Sequence, residues 1–547
     1  MKKKLTLYST GLVSSILLFL NSCNSLDLAP TNQFTDLTYW TSADKASSVL
    51  SMAYSQMFGA NYYFANERLS DNLYEDRGNT DEKIFTSGQA DPALGRFANE
   101  WSNCYAGIKT CHTFLENVDR VPGMDEALKT RMKAEARFIR AFLYFRLTTQ
   151  YGDVPLFDHN LLLEEATVLS RTPKAEVVDF VRTELNDIVS VLPTKQEYST
   201  ADNGRITKGA VMTLLARTYL YENDWNNVAS VCEKIMNGDY GQYALFPDYE
   251  ELFLPGGNDY PNKYNSEVIL DIGYALNLRT WSEYYDAIPL SVGGRISAFA
   301  PTQELVDDYV MLNGKGINES GSGYDEDNPY VNRDPRFGYT IVYHGYQWKK
   351  ADGTTTTIYI QPGSAQLAGE PATDQYAGPG QNTTATGYYL RKWYDPNAPQ
   401  GMASGLNLYL MRYADVLLMY AESKNELGQM NADVWNRTVG AIRTRAGFTD
   451  ASALNFPNSD QSALRNIIRR ERRCELAMEG LRLFDIRRWK TIETVMNGTP
   501  HGAKYAANNT QYIELGARVF NPDRNYLFAV PQSQRDIDPN LTQNPGY

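Results

Sequence analysis

The chain has little of what the commoner active centres need. Its four histidines, His112, His159, His344 and His501, are scattered without an H-x-x-x-H spacing, and its five cysteines form no C-x-x-C, so the pattern supports no zinc site. Cys104 and Cys111 stand seven apart in a helical-looking stretch, which separates their α-carbons by about 10 Å, beyond disulfide reach. Cationic residues are in deficit, 52 Lys and Arg against 65 Asp and Glu. The resulting formal charge of -13 argues against a nucleic-acid partner and against electrostatic docking on anionic lipid. Long apolar runs are also missing. The best, Leu12 to Leu20, is interrupted by Ser14 and Ser15 and is shorter than the ~20 residues a membrane span requires.

That short run follows Lys2, Lys3 and Lys4, so residues 1–22 read as a cleaved signal peptide. It ends Leu20-Asn21-Ser22-Cys23, which resembles the lipobox of bacterial lipoproteins. Cys23 would then become the lipid-bearing first residue of the mature chain, with residues 23–35 as its tether; a soluble secreted protein with a chance cysteine is the plainer alternative. Each buried acyl CH₂ contributes about 0.8 kcal/mol, so several chains anchor durably without crossing the bilayer.

The remaining chain is rich in helical periodicity. "ADKASSVLSMAYSQMF" places Ala46, Val49, Leu50, Ala53 and Met57 on one stripe. Helices follow around Trp101 to Val118 and from Asp125 to Tyr151, the latter stopped by Gly152 with Pro155 beyond. Pro173 to Leu192 continues the series. "TKGAVMTLLARTYLYENDWNNVASVCEKIMNGDY" reads as a helix pair turning at Asn223 and Asp224, with Ala216, Tyr219 and Ala229 resembling the small-and-aromatic pattern of tetratricopeptide repeats. The predicted class is mainly α, with an N-terminal helical region over 36–245 and a C-terminal one over 407–547. Between them, 246–406 turns to short apolar runs and loops, including the aperiodic "PGSAQLAGEPATDQYAGPGQNTTATG".

Three stretches in order and spacing carry a resemblance: "MRYADVLLMYAESKNELG", "RRERRCELAMEGLRLFDIRRWK" and the terminal "YLFAVPQSQRDIDPNLTQNPGY", preceded by "LDLAPTNQFTDLTYWTS", "AEARFIRAFLYFRLTTQYGDVPL", "PTQELVDDYVMLNGK" and "NRDPRF". With these the chain resembles the SusD/RagB family of outer-membrane nutrient-binding lipoproteins. The resemblance implies a fold of four tetratricopeptide-like helix pairs supporting an irregular ligand-bearing half. It also implies a non-catalytic, surface-exposed protein that binds oligosaccharide, sometimes peptide, and delivers it to a SusC-like TonB-dependent transporter, with no cofactor.

Tyrosine is the compositional outlier, 38 against 8 tryptophans. A sugar ring offers an apolar C–H face and hydroxyls, so a glycan site needs aromatic platforms flanked by Asp, Asn and Arg. Two stretches outside the periodic helices have that mixture and supply the predicted ligand-binding residues: Tyr62, Tyr63, Asp71, Asn72 and Arg77 in one, Arg279, Trp281, Tyr284 and Tyr285 in the other. Core packing is the competing explanation for each of them.

Glu471 and Glu475 lie four apart on the stripe of Leu464, Ile467, Ile468, Cys474, Met478 and Leu481, within about 6 Å, a separation that resembles the carboxyl pair of a retaining glycosidase. A surface hydrolase is therefore the alternative from another class. Against it, Arg470, Arg473, Arg482 and Arg487 are placed to neutralise the glutamates in a packed interface. "NESGSGYDEDN" lacks the spacing of a calcium loop and reads as solvated.

Overall fold

The computed structural model describes residues 39–253, 260–350, 352–367, 370–398 and 402–547. Residues 1–22, Cys23 and the tether lie outside them. Helices dominate: α1 (Ala43–Met57), α2 (Ala60–Arg68), α3 (Gly95–Asn117), α4 (Glu126–Tyr151), α5 (Lys174–Ile188), α6 (Lys208–Tyr221), α7 (Trp225–Met236), α8 (Pro335–Thr340), α9 (Tyr413–Glu426), α10 (Gln461–Glu475) and α11 (Arg482–Arg488), with several shorter turns. The class is mainly α, as the periodicity predicts.

Local chemistry sets the helix ends. The five stripe residues expected in α1 are the five it buries, and Ser42 caps it. Asp125 accepts a hydrogen bond from the Leu128 amide to open α4, and Gly152, at φ 73°, closes it in a conformation L-residues avoid. Successive helices pack on one another: α3 on α4, α4 on α5, α5 on α6, α6 on α7, α7 on α9, α9 on α10. Gly107 shows how closely α3 approaches α4, since a Cβ there would stand 2.6 Å from a Leu143 methyl carbon. The α6–α7 turn falls at Asn223, at φ 57°, and Asp224 caps α7.

Among the described residues the strands come only in antiparallel pairs: β1 (Leu73–Glu75) with β3 (Phe299–Pro301), β2 (Val268–Ile272) with β10 (Leu408–Arg412), β4 (Ile341–Val342) with β9 (Tyr389–Leu390), β5 (Tyr346–Lys349) with β6 (Thr355–Ile358), and β7 (Ala365–Leu367) with β8 (Glu370–Pro371). The β2–β10 pair joins the middle segment to the C-terminal one, and one hydrophobic core runs through all three segments.

Asp271, on β2 opposite Tyr409, is buried and accepts a 2.6 Å hydrogen bond from Asn407 Nδ2. Burial pushes its carboxyl up to about 6, only partly opposed by the Asn407 bond and by Lys195 and Lys263. A folded-state value above the unfolded one favours folding below about pH 4 and loses that contribution as pH rises through 6. The Asp271→Asn variant keeps an acceptor for Asn407 and cannot ionise. Its stability relative to the parent is expected to rise by about 2 to 3 kcal/mol between pH 4 and pH 7, the worth of a two-unit shift. Urea midpoints at the two pH values check this, and a pH-independent difference would contradict it.

Candidate functional site

Most of the aromatic and polar residues that the sequence nominates have no free face. Tyr62 lies between the guanidinium groups of Arg96, 4.8 Å from its ring centre, and Arg146, at 5.0 Å. Tyr63 is buried against Trp393 and donates to the Tyr409 carbonyl. Asp71 receives Arg482 at 2.7 and 2.8 Å and Arg473 at 2.9 Å, which hold its carboxyl well below the usual range. Asn72 is spent on Glu67 and Arg473. Trp281, 4 % exposed, donates from Nε1 to the Leu406 carbonyl at 2.7 Å and packs on Phe64. Tyr284 bonds the carbonyls of Leu390 and Arg391, and Tyr285 is buried beside Asp395.

The expectation that these seven side chains meet a ligand is therefore corrected. Their polar tips bond the protein and their rings fill the core; Tyr62 and Tyr63 do so because "NYYFANER" is a helix, α2, buried from Tyr62 through Glu67. Two of the nine keep partial exposure. Arg279 lies 4.7 Å over Tyr274. Arg77 donates to the Gln381 carbonyl and, at 2.8 Å, to Asn382 Oδ1, tying its loop to the 378–383 loop.

The open site is elsewhere. A cleft of about 720 Å³ lies between the 326–331 loop, the Tyr343–His344 corner after β4, Gln361 and the 504–510 loop. Tyr330 and Tyr343 stack at 4.3 Å with Phe337 behind them, 5.1 Å from Tyr343 and almost parallel to it. Both tyrosines are half-buried, so each keeps some ring surface for the cleft. Six of the eight tryptophans are buried, and the half-buried Trp225 and Trp489 lie outside the cleft, so tyrosine supplies its aromatic surface.

Polar groups converge on these rings. The backbone N–H groups of Ile360 and Gln361 both donate to His344 Nδ1, each at 3.1 Å, which fixes that nitrogen as an acceptor and leaves the proton on Nε2. Burial lowers the ring's pKa, which favours its neutral form. Lys504 pairs with Glu326 at 3.3 Å across the cleft, and Asp325 orders the 325–328 turn through Asp327 and Asn328. On the opposite wall, Ala507, Asn508 and Asn509 are consecutive left-handed residues at φ 48°, 59° and 66°. Such conformations cost about 1 to 2 kcal/mol at a residue such as Ala507 and persist where surroundings impose them, commonly at ligand sites. Tyr505 stands 6.5 Å from Tyr376, in the segment leading to the loop that Arg77 grips.

A local signal marks these tyrosines: each sits beside turn-forming or small polar residues, as in "DEDNPYVN", "VYHGY" and "KYAANNT", outside any helical period. Their convergence is a long-range fact that no such signal carries. Among the described residues no cluster of His, Cys, Asp and Glu has the makings of a metal site.

Glu471 and Glu475 face none of this. Glu475, 0 % exposed, takes Arg412 at 2.6 Å and Arg445 on Oε1 and Arg336 at 2.9 Å on Oε2; Glu471 takes Arg336 and Arg443, both at 2.7 Å. The surrounding guanidinium groups hold both carboxyls below their usual range. The partners differ from those expected. Arg470 pairs with Glu319, Arg473 and Arg482 with Asp71, and Arg487 with Gln150, because the glutamates and these arginines leave their helices in different directions.

With this geometry established, comparison with known proteins shows the following. Residues 266–547 match the model of the SusD family, and residues 26–220 match a model described as starch-binding associating with outer membrane. A SusD-like protein of Formosa agariphila is 27% identical over 424 residues, 73% of this chain and 71% of that one. The starch-binding protein SusD of Bacteroides thetaiotaomicron is 29% identical over 164 residues, 28% of this chain and 27% of that one. Among solved structures, a SusD-like carbohydrate-binding protein of Bacteroides fragilis superposes with a TM-score of 0.82 at 29% identity, over 92% of this chain and 100% of the other.

Proposed function

Because this chain belongs to the SusD family, we infer that it is an outer-membrane lipoprotein that binds oligosaccharide at the tyrosine-lined cleft and passes it, without chemistry, to a SusC-like TonB-dependent transporter. The observation that carries the reading is the cleft itself, with half-buried Tyr330 and Tyr343 flanked by His344, Gln361 and Asn509. Rings cover the C–H faces of a sugar while amides, carboxylates and the His344 Nε2–H meet its hydroxyls. Most of the lining comes from the 246–406 segment, which supports reading that segment as the ligand-bearing half. The starch-binding description of the matched model and the carbohydrate-binding description of the B. fragilis structure support the same class of ligand.

Lipid on Cys23, inserted in the outer membrane with the rest of the chain on its extracellular side, keeps a weak binder beside its transporter. Two or three platforms at about 1 kcal/mol each and a few exposed hydrogen bonds reach about 4 to 7 kcal/mol, or millimolar to roughly ten micromolar. The absence of catalysis is supported by the burial of the one closely spaced carboxyl pair weighed for it, Glu471 and Glu475. The purified protein is expected to be retarded in native gels containing a cognate polysaccharide without releasing reducing ends. Titration of peptides and glycans side by side is the companion test. Binding to peptides alone, or no retardation across a panel of neutral and acidic glycans, would overturn the assignment of ligand class.

A further inference from the structure

The charges of the cleft narrow the class of sugar that suits it. Three of its lining side chains are ionic, Glu326, Asp327 and Lys504, and none of the lining residues is an arginine. Lys504 is committed to Glu326 at 3.3 Å. The 325–328 turn is held by Asp325, whose Oδ1 accepts from the Asp327 amide at 3.0 Å and whose Oδ2 accepts from Asn328 Nδ2 at 2.8 Å. The turn thus uses the backbone of Asp327 and leaves its carboxylate, which is exposed and has no cationic partner among the described residues. His344 adds an N–H donor, because its Nδ1 is taken by the backbone N–H groups of Ile360 and Gln361.

The cleft therefore holds one unpaired negative charge and no free cation, on a chain of formal charge -13. A carboxylate only accepts hydrogen bonds, so the Asp327 oxygens suit a sugar hydroxyl, which donates. A uronate or a sulfate also only accepts, and it carries the same sign. Like charges about 4 Å apart in water repel enough to weaken binding about fivefold, and more where the cleft excludes water. Recognition of an acidic sugar calls for the opposite, an arginine fork or an unpaired lysine.

Resting on the reading of this cleft as the oligosaccharide site, we propose that it selects uncharged glycans and rejects those bearing uronate or sulfate. Asp327 is the discriminating residue, and the Glu326–Lys504 pair withholds the cation that an acidic sugar would need. The probes are matched pairs: starch and glucomannan fragments before and after oxidation of their C6 hydroxymethyl groups to carboxylates, homogalacturonan fragments with and without methyl esters, and galactan fragments without and with sulfate. Each is titrated calorimetrically into the whole protein in low salt and again at about 0.5 M, where screening shortens the reach of charge to a few ångströms. The readout is the affinity ratio within a pair, so a general weakening by a substitution cancels. The uncharged member is expected to bind at least about fivefold more tightly, with the ratio falling in high salt. Asp327→Asn is expected to shrink the ratio, and so is Glu326→Gln, which frees Lys504. Equal or tighter binding of the charged member, or a ratio that neither substitution moves, would overturn the charge selectivity and leave the oligosaccharide reading standing. No binding by any member of any pair would overturn that reading itself, and this inference with it.

Discussion

Arg412→Met is expected to destabilise the fold by about 3 to 5 kcal/mol, the usual consequence of removing one partner from a buried ion pair. The side chain is 1 % exposed and is the hub of the largest buried charge network. It donates to Glu479 at 2.8 and 2.7 Å, to Glu267 at 2.7 Å, to Glu475 at 2.6 Å and to the Glu475 carbonyl at 2.8 Å. Methionine replaces most of the volume and none of the charge, so three carboxylates lose their common cation while Lys392, Arg336 and Arg445 remain on the flanks. The carboxyl of Glu475 is held below its usual value in the parent, so its contribution is present above about pH 4 and lost as pH falls. In the variant the stranded carboxylates gain from protonation, and the deficit is expected to shrink between pH 7 and pH 5. Guanidinium midpoints at the two pH values measure it. A loss below about 1 kcal/mol at pH 7 would mean that the flanking cations redistribute to cover the gap.

This network explains why the most specific sequence stretch of the chain is silent about ligand. "RRERRCELAMEGLRLFDIRRW" ties α10 and α11 to the turn after α2, to α8, to α9 and to β10 through Asp71, Arg336, Asp415, Glu422 and Arg412. The apolar stripe was legible, with Leu464, Ile468, Cys474 and Met478 all buried. The identity of the ion-pair partners was not, because they arrive from elements tens to hundreds of residues away. The same division holds across the fold. α1 and α4 announce themselves because each has one buried stripe or a clear stop. α2 does not, because a helix enclosed on nearly every side has no polar face to set a period, and its tyrosines then read like a ligand loop. The cleft is legible only as scattered tyrosines beside turn residues. It needs the β4–β9 and β5–β6 pairings to hold Tyr343, His344 and Gln361 opposite the 504–510 loop.

Tyr343→Ala and Trp281→Ala separate the cleft from the core, and they are expected to fail in different ways. Trp281 is among the residues the sequence nominates, but its ring is packed between Phe64 and Tyr274 and its Nε1–H is committed to Leu406. Truncating a buried tryptophan costs about 3 to 5 kcal/mol in cavity and lost contacts, so that variant is expected to lose thermal stability while the fraction still folded binds glycan like the parent. Tyr343 is half-buried at the cleft, where its loss removes both a contact surface and the support of Tyr330. Stacking worth about 1 to 2 kcal/mol translates into roughly a five- to thirtyfold weaker affinity. Phe337 remains behind it as a core ring, so near-parental circular dichroism is expected. Gel retardation at a temperature where each variant is folded reads the difference. Gln361→Ala, which removes a polar group of the cleft without disturbing the stack, is expected to cost a few-fold in affinity by the loss of about 1 kcal/mol of hydrogen bonding. If Trp281→Ala abolished retardation while folded and Tyr343→Ala left it unchanged, the ligand would have to reach the Phe64–Trp281 region instead. That region would then have to open, because the ring faces that a sugar needs there are covered by Phe64 and Tyr274.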